Sequence, residues 1–188
     1  MTRLETQTTG AAGAFFVAAE LAQRRWNASL TFGNAPRTDV LAQTADGARV
    51  IGIQVKTRRS GDFQLGVHSE ERPPRGADEW FVLTSLYELG QRPDFYVVPR
   101  LHIAALVFAG YRAWLNAPGR GGRKRNPTSM RAFGTGGMEF YHENWALLEK
   151  PAEAAPWRLP DSWRETAKAQ LIGQPEWRGF KLPPGNGK

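Results

Sequence analysis

Two apolar runs of strand length, at residues 80–86 and 95–98, restrict most strongly what this chain can fold into. Because the apolar residues of these runs do not alternate with polar ones, both faces of each strand need to be covered. Two segments can supply the covering helices: the alanine-rich stretch at residues 11–25, with Thr8 or Thr9 as its cap, and residues 99–116. The sequence therefore predicts an α/β fold in which helices lie on both sides of a sheet.

Residues 49–57 are typical of a strand with two different faces. Three apolar side chains alternate there with Gly52, Gln54 and Lys56. A strand has a two-residue period, so the apolar set points to one face and the polar set to the other. We expect Gln54 and Lys56 to stand side by side on the polar face, about 6 to 7 Å apart.

Asp39 lies fifteen positions before Gln54. This spacing suits a strand at 38–43, a turn at residues 45–47 and a return strand at 49–57. An antiparallel pair would bring Asp39 to Gln54 and Lys56. A carboxylate, a second oxygen ligand and a lysine at one point are what metal-assisted phosphodiester hydrolysis needs. Each residue also has an ordinary alternative: Asp39 could cap the amides of a turn, and Gln54 and Lys56 could form an exposed strand face.

The charge of the chain indicates a polyanionic partner. It has 25 Lys and Arg against 18 Asp and Glu, which gives a formal net charge of +7. Residues 117–137 hold five basic residues and six glycines but no acid. This loop could grip phosphates or could be a solvated, mobile segment. The candidate nucleic-acid contacts are Arg58, Arg59, Arg120, Arg123, Lys124, Arg125 and Arg131.

Several other classes of protein are excluded or disfavoured by composition. The chain has no cysteine, so disulfides, a thiolate nucleophile and cysteine zinc sites are excluded. The longest apolar run, residues 103–108, is far shorter than the roughly 20 residues of a membrane span. The three histidines show no metal-binding spacing. We expect a cytoplasmic protein that does not associate with membranes.

The composition shifts after Lys150 to a segment rich in proline and tryptophan. We expect one main domain at residues 8–150 and a C-terminal Trp/Pro-rich extension at 151–188. The extension contains a candidate helix at residues 161–172, and its last residues, 183–188, are expected to be disordered. Its three tryptophans need a surface that buries them. That surface is either the domain itself or a second subunit.

With the first helix, Asp39 and Gln54-Val55-Lys56 in place, the chain resembles the PD-(D/E)XK nuclease superfamily, which has the restriction-endonuclease-like fold. It is most similar to small bacterial proteins that begin Thr-Gly-x-x-Gly-Glu, continue with Val-Ala-Ala-Glu-Leu and carry Asp before Ile-Gln-Val-Lys. The corresponding segments here are residues 9–14, 17–21, Asp39 and residues 53–56. The likeness spans about residues 9–148.

The resemblance implies a mixed sheet flanked by helices and a Mg²⁺-dependent DNA endonuclease of defence or repair, with Mn²⁺ as the other candidate ion. It assigns Asp39 and Gln54 as metal ligands, assigns Lys56 to position water and stabilise the transition state, and allows a homodimer. One position departs from the group: its first-helix glutamate corresponds to Ala14 here. A second function is therefore open, that of a nuclease-fold protein which no longer cleaves and serves as a nucleic-acid-binding or assembly subunit.

Overall fold

The structure is a computed structural model, and it describes residues 3–31, 37–66 and 72–185. A five-stranded mixed sheet forms its centre. Its strands are β1 (Asn27–Leu30), β2 (Val40–Gln43), β3 (Val50–Arg58), β5 (Glu79–Ser85) and β6 (Asp94–Pro99), which lie in that spatial order. The first three are antiparallel, β5 runs parallel to β3, and β6 is antiparallel to β5. The predicted α/β fold with a mixed sheet flanked by helices is confirmed.

Three helices flank this sheet. They are α1 (Arg3–Gln23), α2 (Arg100–Asn116) and α3 (Asp161–Gln170), and α3 packs on α2. Helix α1 begins well before the predicted start, so the predicted cap at Thr8 or Thr9 is wrong, because both residues lie inside the helix. Val17 and Leu21 of this helix are fully buried, whereas Phe16 is 42 % exposed.

Both faces of the sheet are buried, as the apolar runs predicted. On one face, α1 packs against Ile51, Ile53 and Val55 of β3. On the other face, Phe81 and Leu83 of β5 join a cluster with α2. The alternate residues of β5, among them Trp80 and Val82, belong to the α1 side. A strand that is buried on both faces therefore has a continuous apolar run in its sequence.

A second, two-stranded sheet consists of β4 (Phe63–Gly66) and β7 (Met130–Phe133). Phe63 and Leu65 of β4 are buried, while Gln64 and Gly66 are exposed. Strand β7 was not predicted, since it falls inside the glycine-rich loop at 117–137. Its Arg131 is only 6 % exposed. The loop is therefore partly ordered secondary structure.

The C-terminal segment lies on the domain. Trp157, Leu171 and Trp177 are buried in the α2-side cluster, and Trp163 packs against it. The carbonyl oxygen of Pro183 accepts a hydrogen bond from Nε of Arg164 at 2.7 Å, whereas residues 186–188, for which disorder was predicted, lie outside the described residues. None of the helices in the described ranges is long and apolar enough to cross a membrane.

Candidate active site

The polar face of β3 is the face that α2 covers. Gln54 and Lys56 stand beside Phe81 and Leu83 of β5 in the parallel register, and these two neighbours belong to the α2-side cluster. Both polar side chains are half-buried. The sequence prediction that they share one face, opposite the isoleucines, agrees with this placement.

Asp39 lies immediately before β2, where that strand meets β3. Its backbone N–H donates to the carbonyl of Ile53 at 2.8 Å, and its Oδ2 accepts from the backbone N–H of Val55 at 2.7 Å. The carboxylate thus binds an amide in the middle of β3, whereas the ordinary alternative was a cap on the amides of a turn. Oδ1 makes no hydrogen bond within the described ranges, so one oxygen is left for a ligand.

The turn between β2 and β3 sets this arrangement. Gly47 has φ +70°, a conformation that glycine adopts without strain. Oδ1 of Asp46 accepts from the Thr44 hydroxyl at 2.6 Å and from the Ala48 N–H at 3.0 Å. This side-chain turn closes the hairpin as predicted. It aligns Val40 with Ile53, and so brings Asp39 to the middle of β3.

Lys56 is a cation with no committed partner. Burial lowers the pKa of its amine, the carboxylate of Asp39 acts in the opposite direction, and Arg100 lowers the pKa further. Among the described residues, no ion pair or hydrogen bond holds the amine. Asp39 and Lys56 are therefore close enough to interact electrostatically, yet neither satisfies the other completely.

Arg100, the first residue of α2, is a site residue that the sequence did not reveal. It is 3 % exposed, and Nη1 donates to Oε1 of Gln54 at 3.3 Å. Its guanidinium lies 5.2 Å from the ring centre of Phe81. Burial, followed by repulsion from Arg37, lowers its pKa to about 10. The side chain holds the amide of Gln54 and adds positive charge to the cleft.

Glu79 and Arg37 complete the charged group. Nη2 of Arg37 lies 2.9 Å from Oε2 of Glu79, and Nε of Arg100 lies 3.7 Å from the same oxygen. The backbone N–H of Arg75 also donates to this oxygen at 2.8 Å. Glu79 is the first residue of β5. All three contacts are made to Oε2, and the two guanidinium groups beside this carboxylate oppose the approach of a dication.

Ala14 does not face the cleft. Its half-buried side chain packs against the cluster on the α1 side of the sheet, and Gln54 and Lys56 occupy the opposite side. Glu20, the acid of this helix that lies six positions after Ala14, is 8 % exposed and paired with Arg24 and Arg92. Neither position supplies a carboxylate to the site.

The predicted nucleic-acid contacts separate into tethered and untethered side chains. Arg125 donates to the carbonyls of Trp114 and Pro118. Arg131 bonds the carbonyl of Thr128. The tethered arginines on the aromatic pair Tyr111 and Trp114 have structural roles: Arg125 stacks on Trp114 at 4.8 Å and Arg131 on Tyr111 at 3.6 Å.

Three basic residues of the loop remain untethered. Within the described ranges, the side chains of Arg120, Arg123 and Lys124 make no hydrogen bond or ion pair. These three residues follow the C-terminal end of α2, and the seventeen residues of that helix span about 25 Å from Arg100.

Arg58 and Arg59 lie at the far end of β3. Arg58 donates to Oγ of Ser85 at 3.0 Å and to the carbonyl of Gly61 at 2.7 Å, so it is also tethered. Nε of Arg59 lies 3.4 Å from Oγ1 of Thr9, and the residue is exposed. Of the two, Arg59 is the one that a phosphate can reach.

Within the described ranges, one group of three side chains has the spacing of a metal site, and it is not in the cleft. Asp94, His142 and Glu143 bring their ligand atoms within 4.8 Å of one another. Both oxygens of Glu143 already accept from Arg92, at 3.0 and 2.8 Å. Asp94 is the first residue of β6, whereas α2, which carries Arg100 of the cleft, begins after the last residue of that strand. The fold brings Asp94 close to His142, and the spacing of the histidines in the sequence could not show this. We assign no ion to the three side chains.

Comparison with known proteins adds a similarity of fold. No protein-family model and no curated protein matches the chain. Among solved structures, it is similar to a bacterial homing endonuclease, I-Ssp6803I, with 19 % sequence identity over 78 % of this chain and 94 % of that chain, at a TM-score of 0.41. A structural similarity at a TM-score of this size gives no information about the site. The function is therefore inferred from the residues of the cleft.

Proposed function

We propose that this protein binds DNA and hydrolyses its phosphodiester bonds with the help of Mg²⁺, or of Mn²⁺, at the cleft of Asp39, Gln54 and Lys56. The observation that carries this proposal is the uncommitted amine of Lys56 beside a carboxylate that keeps one oxygen available. A lysine held near a carboxylate without a full ion pair is suited to a ligand that brings its own negative charge. A phosphodiester is such a ligand.

The donor atoms of the cleft fit a magnesium ion in part. Oδ1 of Asp39 and Oε1 of Gln54 would hold the ion, and Mg²⁺ in phosphoryl-transfer sites commonly takes one or two protein oxygens and completes its shell with water and phosphate. The ion would polarise the phosphoryl group and lower the pKa of a bound water. Arg100 already donates to Oε1 of Gln54, which weakens that oxygen as a ligand.

The residues of the chain then have separate tasks. Lys56 orients the attacking water and balances the charge that develops on the phosphorus oxygens. Asp39 keeps its free oxygen in place because its other oxygen is fixed by the Val55 amide. Arg100 prevents the amide of Gln54 from rotating. The cleft thus presents a fixed set of charges to a phosphate, which is the main requirement of phosphoryl transfer.

A second function is a nucleic-acid-binding or assembly subunit that does not cleave. The observation that favours it is the charge balance: Lys56, Arg37 and Arg100 outnumber the described carboxylates of the cleft, and Glu79 is already paired. A site of this kind attracts phosphate more readily than a dication.

A plasmid-nicking assay with Mg²⁺ or Mn²⁺ separates these functions. We expect Asp39→Asn and Lys56→Gln each to slow nicking by about 100-fold, while the melting temperature and DNA binding stay near those of the wild type. Arg178→Gln, at an exposed position of the C-terminal segment, serves as the control and should nick normally. Nicking that survives both substitutions would remove the assigned site. DNA binding without nicking by the wild type would favour the binding subunit.

A further inference from the structure

A cavity of about 760 Å³ opens beside Glu79, between the start of α2 and the C-terminal segment. Its volume lies in the range of small-molecule sites, roughly 300–1,000 Å³. The wall carries two cations, two carboxylates and an apolar surface. The residues that line the cavity include Arg75, Lys181, Glu79, Pro99, Leu101 and Phe180.

Positive charge is concentrated behind this wall. Arg37 and Arg100 both direct their guanidinium groups to Glu79, and the buried Nε atom of each has no hydrogen-bond partner among the residues that the structure describes. Burial lowers the pKa of both arginines, and repulsion from Arg72 and Arg75 lowers it further. Within the described ranges, Glu79 is the carboxylate that opposes this effect at both residues. Even with Glu153, the second carboxylate of the wall, two carboxylates stand against four arginines, so the region is short of negative charge.

The first turn of α2 adds to this potential. Its N-cap residue is Pro99, which gives no side-chain hydrogen bond, and the first turn holds no acid. The free amides and the dipole of a helix N-terminus attract anions. Pro99 and Leu101, on either side of Arg100, line the cavity. The helix therefore points its positive end to the cavity.

Apolar side chains also line the cavity. The ring of Phe180 is held edge-on against the buried Trp177, with ring centres 5.7 Å apart and an angle of 74°. Phe180 faces the same cavity as Leu101. A flat apolar group can lie between them, and a nucleobase is such a group, since base stacking on aromatic side chains is a common mode of binding to single strands.

We propose that this cavity binds one nucleotide, with its phosphate group at Arg75 and Lys181 and its base against Leu101 and Phe180. The proposal rests on the proposed function in taking the nucleotide to be part of a DNA strand that continues into the cleft. Continuity is provided by Arg100, which bonds Gln54 and lies 3.7 Å from Glu79 in the cavity wall. The phosphate contact itself depends on Arg75 and Lys181 and does not require hydrolysis in the cleft.

The test measures binding without metal. Thymidine 5′-monophosphate, thymidine and inorganic phosphate are titrated by calorimetry in EDTA into the full chain, into the double variant Arg75→Gln/Lys181→Gln and into Phe180→Ala. Both basic residues are exposed, so their replacement leaves the fold intact. Arg178→Gln is the matched control, because it removes one charge from the same segment outside the cavity.

We expect the monophosphate to bind more tightly than thymidine by about tenfold or more, since a charge-assisted phosphate contact contributes at least about 1.4 kcal/mol. The double variant should lose this difference, Phe180→Ala should weaken the monophosphate but not inorganic phosphate, and Arg178→Gln should match the wild type. Equal affinity in all variants, or no binding of the monophosphate up to about 10 mM, would overturn the proposal.

Nicking by the same proteins keeps the two proposals apart. A wild type that binds the monophosphate through Arg75 and Lys181 but does not nick DNA would refute only the nuclease. A wild type that nicks DNA, but whose monophosphate binding does not depend on Arg75 and Lys181, would refute only the nucleotide cavity.

Discussion

Replacing the three untethered basic residues of the loop should weaken DNA binding by an amount that the structure fixes. The variant Arg120→Gln/Arg123→Gln/Lys124→Gln removes three charges and no described hydrogen bond. Arg125 is kept, because it ties the loop to Trp114 and its loss would disorder the loop. The variant therefore tests phosphate contact without changing the fold.

The expected change in the salt dependence of DNA binding follows from counterion release. Each phosphate that a protein neutralises contributes about −0.9 to the slope of log K against log salt concentration. Sequence alone counted five basic side chains in this loop, which would give a slope of about −4 to −5. The structure leaves three of them free, so the triple variant should reduce the size of the slope by about 2.7.

The assay is fluorescence anisotropy of a labelled duplex at several salt concentrations. Lys150→Gln/Lys168→Gln/Arg178→Gln is the control variant, because these three exposed side chains lie outside the loop and carry the same charge. It should change the slope by less than about one unit. A triple loop variant with the wild-type slope would show that these three side chains do not contact phosphate. A control with an equal effect would show that the loop acts only through net charge.

Three further outcomes are expected. The pKa of Lys56 is lowered, and the side chain is a cation only below that pKa. The rate of nicking should therefore decrease with rising pH at a lower pH than an ordinary lysine would give. A rate that stays constant through pH 10 would contradict this. Burial lowers the pKa of His102 to about 3. The free energy of unfolding should therefore decrease as the pH falls below about 6.5, by about 2 kcal/mol between pH 7 and pH 5. His102→Asn should lose this pH dependence when unfolding is measured in denaturant titrations. Ala14→Glu should lower the melting temperature without increasing nicking, because position 14 contacts an apolar cluster. The family resemblance predicts the reverse, so increased nicking would show that the carboxylate reaches the cleft.

The local part of the site could be predicted from the sequence. Two-residue alternation placed Gln54 and Lys56 on one face, and the Asp46–Gly47 turn fixed how far Asp39 lies along the hairpin. Both relations depend on short stretches of chain whose geometry is set by their own residues. Strand and turn periodicity are therefore enough to recover them.

The tertiary part could not be predicted. Arg100 and Glu79 reach the cleft from other elements, and Arg100 contacts a residue 46 positions away. Nothing in the local pattern of a helix start predicts that its first side chain is buried against a strand. Strand β7 was missed for a different reason: its glycine-rich flanks are typical of a loop, and it is paired only because β4 lies beside it.

Helix α2 separates two surfaces on which DNA contact is proposed. The cleft begins at its first residue, Arg100, and the basic loop follows its last, Asn116. A duplex advances 3.4 Å per base pair, so the helix length of about 25 Å corresponds to about seven base pairs. A duplex that touches both surfaces must be at least that long, and its footprint would extend to one side of the cut by about two-thirds of a helical turn.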